Sequence, residues 1–74
     1  MTLAQVKTGD TVRIMQIPDP TIRAKIIRFG ITEGDVVVAH EVIPGGPVVL
    51  RKNRQEIAVG RRLASTISIL PHQD

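Results

Sequence analysis

The sequence predicts a mostly β fold, a small five-stranded barrel with one short α-helix after the first strand and a helical turn before the last. Turn-forming residues recur about every ten positions, with short β-branched runs between them, a spacing typical of small sandwiches and barrels. Five short strands expose the fewest unpaired edges when they curl into a barrel. The 74 residues have room for one domain, predicted over residues 1–74. A core of this size is thin and leaves no space for a walled substrate cleft.

The first strand is predicted over Thr11 to Ile17. Val12 and Ile14 share one face because side chains alternate along a strand. Ile17 falls out of this phase, which indicates a bulge or strong bend near residues 15–16.

A helix is predicted next, with Asp19 as its N-cap and Pro20 at its first position. Apolar residues follow at helical spacing and form a stripe that is expected to face the core: Ile22, Ile26 and Phe29. Gly30 is expected to end the helix in the left-handed conformation, and Ile31 to fold back onto its last turn.

Four further strands are predicted over Val36–Ile43, Val48–Lys52, Glu56–Val59 and Thr66–Leu70. Residues 3–6 are expected to be a short lead-in, residues 60–64 one helical turn, and residues 71–74 a frayed tail. Asn53 and Arg54 are a plausible two-residue hairpin turn, since Asn tolerates the left-handed region. The positions expected to make structural turns are Gly9, Gly30, Gly34, Gly45, Gly46 and Asn53.

Composition narrows the classes of protein. The chain has no cysteine, which excludes disulfides and thiolate metal sites and fits a reducing compartment. Residues 1–7 do not read as a signal peptide, and no apolar run approaches the ~20 residues that span a bilayer. These features predict a soluble, cytoplasmic protein.

Charge is unevenly distributed along the chain. Residues 51–62 carry five Lys or Arg against one acid, and residues 21–29 carry three against none, whereas residues 30–50 carry three acids and no Lys or Arg. This pattern indicates a basic face and an acidic face, with ordinary surface solubility as the alternative.

No catalytic, cofactor-binding or metal-ligating residue is predicted, and the chain is expected not to be an enzyme. His40 and His72 are far apart in sequence, and His40 and Glu41 point to opposite faces of a strand. Glu33 and Asp35 can hold a weakly bound cation or simply be solvated. A nucleic-acid interface is disfavoured, because stacking on single strands needs aromatic rings and Phe29 is the sole aromatic residue.

Several short motifs occur in a recognisable order: Val12-x-Ile14, Phe29-Gly30-Ile31, Gly34-x-Val36-x-Val38, Pro44-Gly45-Gly46-Pro47, Ile57-Ala58-Val59-Gly60-Arg61 and Ile67-x-Ile69. This set resembles the FeoA family, small cytoplasmic proteins of bacterial ferrous iron transport, over residues 3–70. Asn53 stands where family members commonly carry a glycine, and Gly60 where they often carry a basic residue.

The resemblance implies an SH3-like barrel that binds the cytoplasmic part of FeoB, a membrane iron transporter with a GTPase domain. Candidate contacts, chosen on charge, are Arg23, Lys25, Arg28, Arg61 and Arg62. Two alternatives stay open: a metal-responsive barrel like the C-terminal domains of iron-dependent repressors, and a small nucleic-acid-binding barrel. Exposed β edges also leave a weak homo-oligomer open.

Overall fold

The computed structural model describes residues 1–72 and contains one antiparallel sheet in the strand order β4-β3-β2-β1-β5. The strands are β1 (Thr11–Gln16), β2 (Val36–Val42), β3 (Val48–Lys52), β4 (Gln55–Val59) and β5 (Ser68–Pro71). The sheet curls into an SH3-like barrel whose end strands, β4 and β5, are not hydrogen-bonded to each other. Within residues 1–72, the only strand that pairs with β4 is β3, and the only strand that pairs with β5 is β1. The predicted fold class is confirmed.

Two short α-helices complete the fold, α1 (Pro20–Ile27) and α2 (Arg61–Ala64). The predicted cap of α1 is present, because the Asp19 carboxylate accepts hydrogen bonds from the backbone N–H groups of Thr21 (2.8 Å) and Ile22 (3.4 Å). Gly30 has φ +77°, and Ile31 folds back so that its N–H donates to the carbonyl of Ile26 (3.3 Å).

The bounds of β3 are those predicted, and the bounds of the other strands differ from the prediction by one or two residues. The bulge expected in β1 is confirmed as a register shift between Ile14 and Gln16 against β5. A second shift, between Ala39 and Glu41 of β2, was not predicted. It lies at His40, just after the apolar run of residues 36–39, and that run has no alternation that could indicate an inserted residue.

The start of the chain and residues 71–72 are held more firmly than predicted. Residues 3–5, which belong to the predicted short lead-in, form a 3-10 turn, and Leu3 is fully buried. Pro71 belongs to β5, and the N–H of His72 donates to the carbonyl of Thr11 (2.9 Å), so these two residues are not frayed. The rest of the predicted tail, residues 73–74, lies outside the described residues.

The core is aliphatic and lies inside the curled sheet, closed at its ends by the 3-10 turn and the two helices. Its most deeply buried large side chains are Leu3, Ile14, Ile17, Ile31, Leu50, Ile67 and Ile69. Val12 and Ile14 of β1, which were expected to share one face, are both buried, as are Ile67, just before β5, and Ile69 within it.

The position of Phe29 was predicted wrongly. Its side chain is 41% exposed, although it was expected to complete the buried stripe of the helix. The helix ends at Ile27, so Phe29 lies in the turn beyond it and the helical spacing no longer sets its direction. The ring is therefore accessible to a partner. A single aromatic ring does not provide the series of stacking sites that successive bases of a nucleic acid need.

Candidate functional site

An apolar groove runs between α1 on one side and β4 with α2 on the other, and encloses about 610 Å³. Nine residues line it: Ile22, Lys25, Ile26, Arg28, Phe29, Ile57, Ala58, Val59 and Leu63. The buried side chains of Ile22, Ile26 and Val59 form its floor. Phe29 is exposed and Ile57 and Leu63 are half-buried, so the walls present apolar surface to solvent.

Local sequence patterns explain each wall. Alternation along β4 turns Ile57 and Val59 to the core side, while Glu56 and Ala58 face solvent. The helical spacing of Ile22 and Ile26 buries one face of α1. The meeting of the two walls depends on the curl of the sheet, because the walls are about thirty residues apart in sequence.

The groove has a cationic rim. Lys25 and Arg28 line it and are exposed, and no acidic side chain of residues 1–72 lines it. Of the other predicted contacts, Arg23 is exposed on α1, and Arg62 is exposed on α2 next to the lining residue Leu63, although neither lines the groove itself. The structure thus places two of the five predicted residues at the groove.

Arg61 occupies a different environment. Its guanidinium donates three hydrogen bonds to backbone carbonyls: Nη1 to Ala4 (2.7 Å), Nε to Gly46 (3.0 Å) and Nη2 to Ile43 (2.9 Å). The side chain is half-buried and forms no ion pair within the described chain. Arg61 therefore joins α2 to the 3-10 turn and to the loop between β2 and β3.

The carboxylates of Glu33 and Asp35, which were predicted as a possible cation site, already accept hydrogen bonds from groups of the protein. The Glu33 carboxylate accepts from the backbone N–H of Ile17 (2.8 Å). Asp35 Oδ2 accepts from the Thr32 N–H (2.7 Å) and from Lys52 Nζ (2.9 Å), and that lysine also donates to the Gly30 carbonyl. The Lys52 ammonium, followed by the Thr32 hydrogen bond, lowers the pKa of Asp35 from its usual value.

Lys52 was not singled out by sequence reasoning. It lies among other cations in the basic segment, and nothing in the local pattern indicates that it reaches residues 30 and 35. Among residues 1–72, no group of three or more His, Cys, Asp or Glu side chains is placed to hold a metal ion. His40 is exposed and lies 3.1 Å from the Glu56 carboxylate, which Arg51 also approaches at 3.5 Å.

The curled five-stranded sheet, with its helix between the first two strands, defines a small SH3-like domain. The chain matches the FeoA domain family over residues 1–71 and belongs to the FeoA family. Membership of this family suggests a role in ferrous iron transport, and the family is one of accessory proteins rather than known enzymes. No curated protein matches the chain.

Solved structures support the fold. The chain superposes on the crystal structure of an iron uptake regulatory protein (FeoA) with a TM-score of 0.84, at 23% identity over 97% of both chains. A FeoA-like protein from Clostridium acetobutylicum gives a TM-score of 0.80 at 22% identity, covering 100% of this chain and 88% of that one. FeoA from Chlorobium tepidum gives 0.81 at 22% identity, covering 93% and 68% respectively. Among the described residues, no helix has the length and apolar character needed to cross a membrane.

Proposed function

We propose that this protein is a cytoplasmic accessory protein of bacterial ferrous iron transport, which binds the cytoplasmic part of an FeoB-like membrane transporter through the groove. The observation that carries the proposal is an open groove with apolar walls and a rim that carries Lys25 and Arg28, in a chain of the FeoA family. Apolar walls with a charged rim are the usual anatomy of a protein-binding surface.

The apolar walls would supply the affinity. Phe29, Ile57 and Leu63 are large side chains that keep apolar surface in water. Each Å² that a partner covers favours association by roughly 25 cal/mol before the entropic and desolvation costs of binding are subtracted. An exposed aromatic ring is a favourable anchor, since it buries a large area while losing little rotamer freedom. Phe29 is therefore the proposed centre of the interface.

The cations would steer association. Lys25 and Arg28 are proposed to meet acidic residues of the transporter at the rim, and Arg23 and Arg62 to extend this field on either side. Arg61 is proposed to contribute its charge and to hold the loop before β3 in place. Exposed charge pairs of this kind change the association rate more than the final affinity.

The first test is an NMR titration of the isotope-labelled protein with the soluble GTPase domain of its transporter. We expect chemical-shift changes to cluster on the end of α1, on β4 and on α2. If shifts cluster elsewhere, the groove is not the interface. If the spectrum is unchanged by both the GTPase domain and the full transporter in detergent, the proposed function is wrong.

Matched variants separate the rim from the walls. Arg28→Glu at the rim is compared with Lys7→Glu, which makes the same change of net charge at a residue outside the groove. Arg28→Glu alone is expected to slow association, most strongly at low salt. Phe29→Ala is compared with Leu70→Ala, whose side chain is 51% exposed on β5 and does not line the groove, and only Phe29→Ala is expected to speed dissociation.

A further inference from the structure

Within residues 1–72, one edge of the sheet is hydrogen-bonded to another segment of the chain, and the other edge is not. The outer edge of β5 is covered by the start of the chain: Thr2 bridges Ser68, the Leu3 N–H donates to the Ile67 carbonyl (2.9 Å), and the Ile69 N–H donates to the Met1 carbonyl (2.9 Å). No element of residues 1–72 covers the outer edge of β4 in this way.

The β4 edge is short and carries one charged side chain, Glu56, but it lacks three other devices that protect sheet edges. Natural edges are commonly blocked by lysine, proline or a bulge. The sequence of β4, residues 55–59, contains neither lysine nor proline, and its pairing with β3 has no register shift. This edge is therefore able to accept another strand.

The register identifies the free backbone groups. A two-residue turn joins β3 to β4, so Lys52 and Gln55 are the hydrogen-bonded pair that closes the hairpin. Hydrogen-bonded and non-bonded pairs alternate along an antiparallel ladder, so Ile57 and Val59 also bond inward to β3. The N–H and C=O groups of Glu56 and Ala58 consequently point outward.

The free edge adjoins the groove, since Ala58 is one of its lining residues together with Ile57 and Val59. A strand added to β4 would place the side chain opposite Ile57 on the groove side of the sheet, beside apolar walls. Lys25 and Arg28 line the same groove, and within residues 1–72 no acidic residue lines it, which favours a segment that carries carboxylates.

We propose that the partner adds an extended segment to the outer edge of β4, with alternate apolar side chains in the groove and acidic residues near Lys25 and Arg28. This inference rests on the proposed function and specifies how the same groove is used. The main-chain hydrogen bonds would run through Glu56 and Ala58, and the groove would select the side chains.

The test compares Ala58→Pro with Ala58→Ser. Proline at position 58 removes an outward N–H that β3 does not use, so the ladder is kept, while serine retains that N–H and adds one small polar atom. Binding of the transporter's soluble GTPase domain, or of the full transporter in detergent, is measured by calorimetry. Loss of one hydrogen bond and the added bulk of the ring are expected to weaken binding at least about tenfold for Ala58→Pro and less than about threefold for Ala58→Ser.

Amide hydrogen exchange of the unmodified protein gives a second measurement that does not depend on how a variant folds. Binding is expected to slow exchange at the amides of Glu56 and Ala58, with the amide of Gly45 in the β2–β3 loop as the reference. Slowed exchange at both residues together with the proline effect supports the inference.

Other outcomes overturn it. If the transporter binds but Ala58→Pro binds as tightly as the unmodified protein, or the two amides are not protected, edge pairing is wrong and the proposed function stands. If Ala58→Pro abolishes only self-association in sedimentation, the edge serves a second copy of this chain. If the unmodified protein binds neither form of the transporter, the proposed function fails, and this inference with it.

Discussion

Arg61→Ala is expected to destabilise the fold although the side chain is not part of the apolar core. The guanidinium joins three segments that are distant in sequence, and its bond to the Ala4 carbonyl spans 57 residues. Removing it leaves the carbonyls of Ala4, Ile43 and Gly46 without this donor. The loop before β3 and the 3-10 turn then lose their common attachment to α2.

The magnitude follows from the three bonds. The bonds to Ala4 and Gly46 are partly buried and the bond to Ile43 is exposed. Hydrogen bonds from a charged donor contribute about 1.5 kcal/mol at the low end, and an exposed one less, so the total is about 3 kcal/mol. For a domain of this size, this loss corresponds to a fall in Tm of roughly 12–24 °C. A small domain has about 5–15 kcal/mol in total, so the effect is large.

Denaturant and thermal unfolding followed by circular dichroism measure this loss, with Arg62→Ala as the neighbouring control. Arg62 is exposed and makes no hydrogen bond through its side chain within the described chain, so its removal is expected to change the free energy of unfolding by less than about 0.5 kcal/mol. Arg61→Lys should recover less than half of the loss, since one ammonium cannot reproduce the fork of the guanidinium. Since the acceptors are neutral carbonyls, salt should leave the loss nearly unchanged. Equal stability of the Arg61→Ala and Arg62→Ala variants would refute this reasoning.

Three further predictions concern stability. The Lys52 ammonium lowers the folded-state pKa of Asp35. The resulting stabilisation is therefore present above the unfolded pKa of about 3.9 and is lost as the pH falls through the lower folded value. In urea titrations, the free energy of unfolding should depend less on acid pH for Asp35→Asn than for the unmodified protein. Asn53 has φ +58°, so Asn53→Ala should cost about 1 kcal/mol in denaturant unfolding while Asn53→Gly stays within about 0.5 kcal/mol, and equal costs would contradict a left-handed turn. Leu3 is fully buried, so Leu3→Ala should cost about 2–5 kcal/mol in the same assay, and a cost under about 1 kcal/mol would mean that the start of the chain is not docked.

The elements that sequence predicted well are those with local causes. Asp19 and Pro20 begin α1 because a carboxylate and a fixed φ act on the next one to three residues. Gly30 ends the helix region because its own backbone takes a positive φ. The two-residue hairpin turn at residues 53–54 has the same kind of origin, since Asn53 alone supplies the unusual φ.

The side-chain positions that were not predicted from the sequence depend on contacts with residues that are distant along the chain. Phe29 lies just past the end of α1, where a helical period no longer applies, so only the packed structure shows that its ring faces the groove. In the sequence, Arg61 and Lys52 are not distinguished from the other cations near them. In the structure, Arg61 donates to the Ala4 carbonyl and Lys52 donates to the Asp35 carboxylate.

The sequence alone therefore determined the fold class, the order of the main elements, the shared face of Val12 and Ile14 on the first strand, and the presence of basic segments. Each of these depends on backbone preferences and side-chain periods that act over a few neighbouring residues. The tertiary structure decided which cations line the groove, which one is held by carbonyls, and which sheet edge stays open. These features depend on how the curled sheet brings α1, β4 and the start of the chain close to segments that are distant in sequence. No local sequence pattern encodes that proximity.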